Sequence, residues 1–409
     1  MKLWPFKNWE DLKIHLRSMK VGHKLVLYLL LTLVIYGSTI VVDNTVMVNL
    51  IDQEIFHPDV HVYRERAQAI LDGKLLYRDL PGVESPPLIN YILVPPQVLG
   101  GAEHDWVWAA YFSFFAFLMS ALIYLALRRY DDVGAFLAGA VVLVSPYTII
   151  ESGTGEDESI AAAFFILAVI LMFMKRREAS TASIGLGIWV KMFSILLFPV
   201  HFLQQSNWKD RAMTVGVLAL ITAVVIAPFA ILAWEDFINF PSYYFLAQST
   251  PPNGGSSIWQ FLRMGGVSLP SVLQLGILGV AMAAAYLYPY YKKMPAWQSS
   301  IVMLLTFFTF YPKVHGGYWI MLVALLSVWA ANDRRIFLRI TLSFVPFILA
   351  TALAEGDGTA APIEFYGSWF VGFLLALLGL LMFVDAARIA FGKRSFIEME
   401  TLGQVDPSE

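Results

Sequence analysis

The sequence predicts an all-α polytopic membrane protein of about ten to twelve transmembrane or re-entrant helices. Three observations carry that prediction. Apolar residues make up 58% of the 409-residue chain and charged residues only 14%, where an ordinary soluble domain is about a quarter charged. Apolar runs of about 17–25 residues, enough to cross the hydrocarbon core, recur from end to end. The basic residues collect in alternate loops, as they do in membrane proteins of defined orientation.

The first run, 24–42, follows a basic start (Lys2, Lys7, Lys13, Arg17, Lys20, Lys24), and no small-residue cleavage site follows it. It reads as a retained span, not a removed signal peptide. Further spans are predicted at 105–127, 133–150, 159–174, 212–233, 269–288, 297–311, 318–331, 338–354 and 366–386. Spans of this kind satisfy their backbone internally, so one membrane domain over 1–390 is expected, with a first external loop at 43–104 and a short cytoplasmic tail at 391–409.

Two apolar segments are not counted as crossings. "PPLINYILVPPQVLGG" (86–101) is too short to span and carries proline pairs, which suits an interfacial helix. The segment 182–204 contains Gly185, Gly187, Lys191 and Pro199. That composition predicts two half-helices in a re-entrant hairpin, a form tolerated only where protein or a wet cavity surrounds it.

Alternating the loops from a cytoplasmic N-terminus places Arg128/Arg129, Lys175/Arg176/Arg177, Lys209/Arg211, Lys292/Lys293, Arg334/Arg335/Arg339 and Arg388/Lys393/Arg394 inside. With the N-terminal set these are most of the 28 lysines and arginines. Both termini are then cytoplasmic, and the majority of the 31 acids face outward, where nearly every candidate for chemistry lies. Nucleic acid is not an expected partner of so acidic a face. Zero cysteines exclude disulfide and thiolate chemistry.

The longest polar stretch before the tail is "HPDVHVYRERAQAILDGKLLYRDLPGVESPP" (57–87). Pro58 suits a first helical turn, Val62, Tyr63, Arg66, Ala67, Ile70 and Leu71 recur at helical spacing, and Gly73 ends the pattern. An amphipathic surface helix is expected, with Asp59 in its first turn. There the helix dipole favours a carboxylate, so Asp59 should be ionised with a low pKa. A helix-capping role alone would also explain an acid at this position.

Three later stretches carry the other candidates. "SPYTIIESGTGEDESIAAAFF" (145–165) puts Glu156, Asp157 and Glu158 at the outer mouth between two spans, where acids are costly unless hydrated or paired. "GLGIWVKMFSILLFP" (185–199) sets Lys191 in apolar surroundings; an ammonium there either snorkels to an interface or meets an anion. "FYPKVHGGYWIMLV" (310–323) holds Lys313, His315 and Tyr318 at the outer surface. The region 234–257 reads as an external aromatic loop, and either it or the loop 355–365 is expected to cover the site and help select the acceptor.

Taken in order, Asp-x-x-x-Tyr-x-x-x-Ala, "GKLLYRD" and "SPPLINYILVPP" of the first loop, then 145–165, 185–199 and 310–323, resemble the GT-C superfamily of membrane glycosyltransferases. Within it the chain is most similar to polyprenyl- or dolichyl-phosphate-mannose-dependent mannosyltransferases of the family 87 kind. The resemblance implies a GT-C fold and an inverting hexosyl transfer, with mannose the expected sugar, from a polyprenyl-phosphate donor to a glycan, lipid or protein acceptor on the external, periplasmic or lumenal face. It nominates Asp59 as catalytic base, with Asp43 in reserve and Asp79 third, and Tyr63 and Tyr318 as substrate contacts. It gives Lys191, Lys313 and His315 to the donor phosphate. Glu156, Asp157 and Glu158 stand where the family usually has a Gly-Gln-x-Asp-like element, and which acid corresponds stays open. Those three acids would suit a loosely held hard cation, but the class generally works without a metal and none is expected. A secondary transporter or carrier would share the spans, the half-helices and the buried lysine; a non-catalytic subunit that binds a lipid-linked sugar is a third reading.

Overall fold

The computed structural model describes residues 9–47, 58–80, 82–240, 253–354 and 367–399, and it is helical nearly throughout. Among the described residues six helices are long and apolar enough to cross a membrane: Val21–Val46, Asp105–Leu127, Trp208–Leu232, Ser271–Tyr291, Arg334–Leu353 and Ser368–Glu398. The run expected at 133–150 is a broken pair, Asp132–Leu143 and Pro146–Gly153, bent by 51°. Pro146 cannot donate to the preceding turn, so the break falls before it. Three other expected spans are shorter than full length: Glu158–Phe173, Ala296–Phe310 and Gly316–Ala330.

The shortest of these sit deepest. All twelve residues of Trp319–Ala330 are buried, so this helix is apolar on every side because protein surrounds it. Trp319 stacks with Phe347 and with Phe383, at centroid separations of 4.3 and 4.9 Å. By contrast, Leu220, Val224 and Ile231 of Trp208–Leu232 are exposed. An apolar helix left open in this way has a face that matches lipid.

Tyrosines fasten the first span to its neighbour: Tyr36 Oη donates to the Leu143 carbonyl at 2.9 Å. At the opposite end of that span the fully buried Lys24 pairs with Asp132. Beyond the last span, Phe396 and Ile397 are buried, and Trp329 Nε1 donates to the Lys393 carbonyl at 3.0 Å, so the chain packs back on the bundle after residue 391.

Residues 177–206 form a hairpin. The helix Arg177–Val190 ends at Lys191, whose backbone is extended (φ −156°, ψ 129°). A 3₁₀ turn, Met192–Leu196, and a short helix, Leu197–Leu203, then lead back. His201 on the return leg contacts Thr181 Oγ1 at 3.0 Å and Ser180 Oγ at 3.2 Å on the outgoing one. At ordinary helical rises each leg covers about 20 Å, so the chain returns to the end of the bundle from which it started and Lys191 is the tip. The two half-helices expected from Gly185, Gly187, Lys191 and Pro199 are present.

The surface helix Pro58–Leu71 also forms where expected, and Gly73 (φ +74°) terminates it. Its buried stripe is Val60, Tyr63 and Ala67, while Leu71, expected on that stripe, is exposed. The residues 86–101 are broken into the short helices Pro87–Ile92 and Val94–Pro96 and a wide turn, Gln97–Gly101; Val98 and Leu99 remain exposed. The loop 355–365 and residues 241–252, half of 234–257, lie outside the described residues.

Candidate active site

Four stretches far apart in sequence meet at one end of the bundle. The first is the surface helix. Tyr63 packs its ring 5.9 Å from both Trp108 and Phe112, and Arg64 ties the helix to Asp105 and donates through Nε to the Gly101 carbonyl at 2.6 Å. These contacts fix the helix against Asp105–Leu127 and orient Asp59, which is exposed while its neighbour Val60 is buried.

The second stretch is the turn 154–158. Gly155 adopts φ +98°, and a Cβ there would lie 3.1 Å from Val60 Cγ2. Glycine thus brings the three acids close to the start of the surface helix. Glu156 Oε2 is 3.5 Å from Tyr63 Oη. Asp157 and Glu158 turn toward the third stretch, the hairpin tip: Lys191 Nζ donates to Asp157 Oδ1 at 2.7 Å and to Glu158 Oε1 at 2.5 Å. All three side chains are at most 15% exposed, so the ammonium that the sequence left between snorkelling and anion binding is paired with carboxylates.

The fourth stretch is the strand Lys313–Val314 with the turn that follows. Lys191 Nζ lies 5.8 Å from the Tyr318 ring centre, and His315 is edge-on to Tyr318 at 5.4 Å. A segment that the sequence reading treated only as loop holds this strand. Gly254–Gly255 pairs with Lys313–Val314 in parallel, Ser256 N donates to the Val314 carbonyl at 2.9 Å, and Ser257 Oγ donates to the Tyr311 carbonyl at 3.0 Å. Gly255 has φ +58°, and a Cβ on it would sit 2.0 Å from the Val314 oxygen. No other residue fits there without moving the strand that carries Lys313.

The charges act on one another. Although the Asp59 side chain opens to solvent, the protein packed around it and then the Asp157 carboxylate push its pKa up, against the pull of Lys191, Arg66 and Lys313. This corrects the expectation of a low value: the helix dipole is one weak, partly screened term, and it is outweighed. Burial raises Glu156 well above the usual range, reinforced first by Asp59 and then by Glu158, Glu151 and Asp157. Asp157 is also raised by burial, although Lys191 opposes the shift. Desolvation, with Lys313 and Lys191 adding to it, pushes His315 down to about 3, so the imidazole is neutral at physiological pH and offers one N–H donor.

Asp59, Tyr63, Glu156, Asp157, Glu158, Lys191, Lys313, His315 and Tyr318 therefore come together. The two alternative bases stand in other segments of the chain. Asp43 is buried at the end of the first span beside Asn44, whose Nδ2 is 3.5 Å from Oδ2. Asp79 accepts from Leu75 N at 2.8 Å and pairs with Arg78 at 2.8 Å, which holds its carboxyl down at about 2 and gives it a turn-closing role. Among the described residues no three of His, Asp and Glu are disposed to hold a metal ion; Asp157 and Glu158 converge on an ammonium.

Sequence reasoning missed two members of the group, Arg66 and Glu151. Arg66 stands two helical turns after Asp59 and so shares its face, a spacing that was readable. Glu151 comes into play only through the 51° bend that brings Pro146–Gly153 over the Gly316–Gly317 turn, where a Cβ on Gly317 would lie 2.9 Å from Glu151 Oε2.

A crystal structure of ArnT from Cupriavidus metallidurans with undecaprenyl phosphate bound is similar to this chain at 16% identity and a TM-score of 0.49, over 92% of this chain and 77% of the other. No curated protein matches the chain in sequence. The family model of glycosyltransferase family 87 matches residues 85–312, a stretch that includes Glu156–Glu158 and Lys191, stops just before Lys313 and leaves Asp59 outside. More than half of the chain is covered by that match, and the protein belongs to glycosyltransferase family 87, the GT-C type of multi-pass membrane glycosyltransferase.

Proposed function

We propose that this glycosyltransferase takes a hexose, mannose in the first instance, from a polyprenyl-phosphate donor. The sugar passes to a glycolipid, a lipid-linked oligosaccharide or a protein at the external membrane face. The observation that carries this reading is the meeting of one exposed carboxylate, Asp59, with two ammonium groups and a neutral imidazole drawn from two other stretches of the chain.

A sugar linked to phosphate has a good leaving group, so catalysis needs a base at the acceptor hydroxyl and positive charge at the departing phosphate. Asp59 accepts the hydroxyl proton as the acceptor oxygen bonds to the anomeric carbon. On the opposite face of the sugar the bond from anomeric carbon to phosphate oxygen breaks, and its electron pair leaves with polyprenyl phosphate. A single displacement inverts the anomeric centre. The raised pKa of Asp59 suits a base, since a carboxylate of ordinary acidity takes a proton less readily.

Lys191 and Lys313 supply the charge that balances the phosphate, and His315 donates its N–H. Asp157 and Glu158 hold the Lys191 ammonium in place instead of acting on substrate. Glu156, the acid whose burial most favours the proton, lines the site and accepts from the Tyr63 hydroxyl. No step requires a metal ion, because two ammonium groups provide the electrostatic stabilisation.

The experiment is transfer of radiolabelled mannose from polyprenyl-phosphate mannose to a membrane lipid extract, by purified protein and by its Asp59→Asn variant. Transfer by the native protein, with loss of transfer and retention of donor binding in the variant, supports the reading. Equal transfer by both removes Asp59 from the base role, and transfer only from a donor carrying another sugar changes the hexose.

A further inference from the structure

A second cavity, of about 750 Å³, opens at the other end of the bundle. Met172 and Phe173, at the end of the helix that begins with Glu158, line it, so a helix of 16 residues, about 24 Å long, separates it from the site already described. Arg177 and Gln204–Ser206, where the hairpin starts and finishes, line another wall. Tyr286, Pro289, Tyr290 and Lys293 close it from the helix Ser271–Tyr291 and its end.

Two of its basic residues have an unusual backbone. Lys175 and Lys293 have φ of 57° and 52°, and with Tyr77 they are the only non-glycine residues with positive φ among the described residues. Each stands just past the end of a helix, and each closes the same capping pattern. Arg176 N donates to the Leu171 carbonyl and Lys175 N to Met172; Met294 N donates to the Pro289 carbonyl and Lys293 N to Tyr290. This is the position where helices ordinarily place glycine, which adopts the left-handed conformation without strain. The chain has put lysine there twice, in two helices far apart in sequence, and both lysines line the same cavity.

The helix ends alone do not account for the pair, because Arg176 and Lys292, one residue away, already bring positive charge to the same C-termini. Both Lys175 and Lys293 are exposed, and among the described residues neither has a carboxylate within ion-pair distance. Arg177 is paired with Glu178 and Asp210. No Asp or Glu lines the cavity, and its remaining walls mix apolar surface (Met172, Val200, Leu203, Ala285) with polar groups (Gln204, Ser299).

We propose that this cavity binds the phosphate headgroup of an anionic membrane lipid, with Lys175 and Lys293 on the phosphate and the apolar wall along the start of the lipid chain. A basic rim at helix ends, continuous with an apolar wall, fits a phosphate carried on a lipid better than a free one. The site is independent of the transfer chemistry proposed for the opposite end.

The test is native mass spectrometry of the full-length protein in detergent, titrated with phosphatidylglycerol and, in parallel, with phosphatidylcholine. The variant is Lys175→Gly with Lys293→Gly, which removes both charges while giving the backbone its easiest residue. Native protein should retain phosphatidylglycerol over phosphatidylcholine, and the double variant should bind it about tenfold more weakly or worse. Lys175→Arg with Lys293→Arg should keep the binding, and Lys313→Gln, at the opposite end of the bundle, should leave it unchanged. Equal retention by the native protein and the glycine variant overturns the proposal. Loss of retention in Lys313→Gln overturns it too, by moving the lipid to the other end. Displacement of the lipid by inorganic phosphate at equal concentration overturns the lipid assignment in favour of a site for free phosphate.

Discussion

Lys191 Nζ lies 2.5 Å from Glu158 Oε1, so the tip of the hairpin 177–206 is locked to the first residue of the neighbouring helix Glu158–Phe173. Asp157 shares the ammonium at 2.7 Å. One cation thus holds two carboxylates that would otherwise stand desolvated and close together, and the pairing sets where the hairpin ends. Removing it should show in stability as well as in activity.

Lys191→Met should destabilise the protein by about 3–5 kcal/mol, since it strands two buried carboxylates. Adding Asp157→Asn and Glu158→Gln should recover most of that loss while leaving transfer activity abolished, because neutral amides need no counter-charge but cannot restore the ammonium. Thermal unfolding in detergent and the mannose-transfer assay, run on both variants, separate the two effects. Recovery of activity in the triple variant would remove Lys191 from the chemistry.

Asp59→Asn should behave in the opposite way. The surroundings of Asp59 disfavour its charge, so its replacement by Asn should leave the protein at least as stable, while loss of a general base should slow transfer by about 10²–10⁴-fold. The expected pattern is a fall in kcat with donor KM little changed. A matching rise in KM with kcat intact would make Asp59 a binding group instead.

Much of this arrangement was legible in the sequence. The apolar runs located the helices, and Gly185, Gly187, Lys191 and Pro199 located the broken segment, because chain-breaking residues and a charge act locally. What stayed hidden depended on tertiary placement. The helix Trp319–Ala330 looks like any span in sequence, yet its full burial makes it the centre of the bundle. The pKa of Asp59 could not be read from its own helix, since its largest influences are the surrounding protein and Asp157, 98 residues further on. The clamp by Gly254–Gly255 was hidden for the same reason: nothing in "PPNGGSS" names the strand it pairs with.

That clamp gives a prediction of its own. Gly255→Ala would place a methyl group 2.0 Å from the Val314 oxygen at φ +58°, a conformation costing about 1–3 kcal/mol for a residue with a side chain, before any clash. The strand Lys313–Val314 must shift to admit it. Activity should fall more than thermal stability, with donor KM raised because Lys313 moves. Gly276→Ala, at a helical position with nothing within 4 Å of the added Cβ, is the control and should change neither.

Glu156 provides a test by pH. Its pKa is raised well above the usual value of 4.5, chiefly by burial, so folding favours the protonated acid. Below pH 4.5 the side chain is protonated in both the folded and the unfolded chain, and its environment is not penalised. As pH rises beyond that point the unfolded chain gives up the proton while the folded chain keeps it, and stability falls until the folded pKa is passed. Glu156→Gln cannot ionise and should escape the loss. The variant should match the native protein in Tm at pH 4 and exceed it increasingly toward neutral and alkaline pH, levelling off once the native glutamate ionises in the folded state. A Tm difference that does not vary between pH 4 and pH 9 would mean that Glu156 carries its charge at ordinary pH, and that the Tyr63–Glu156 contact is made by a carboxylate.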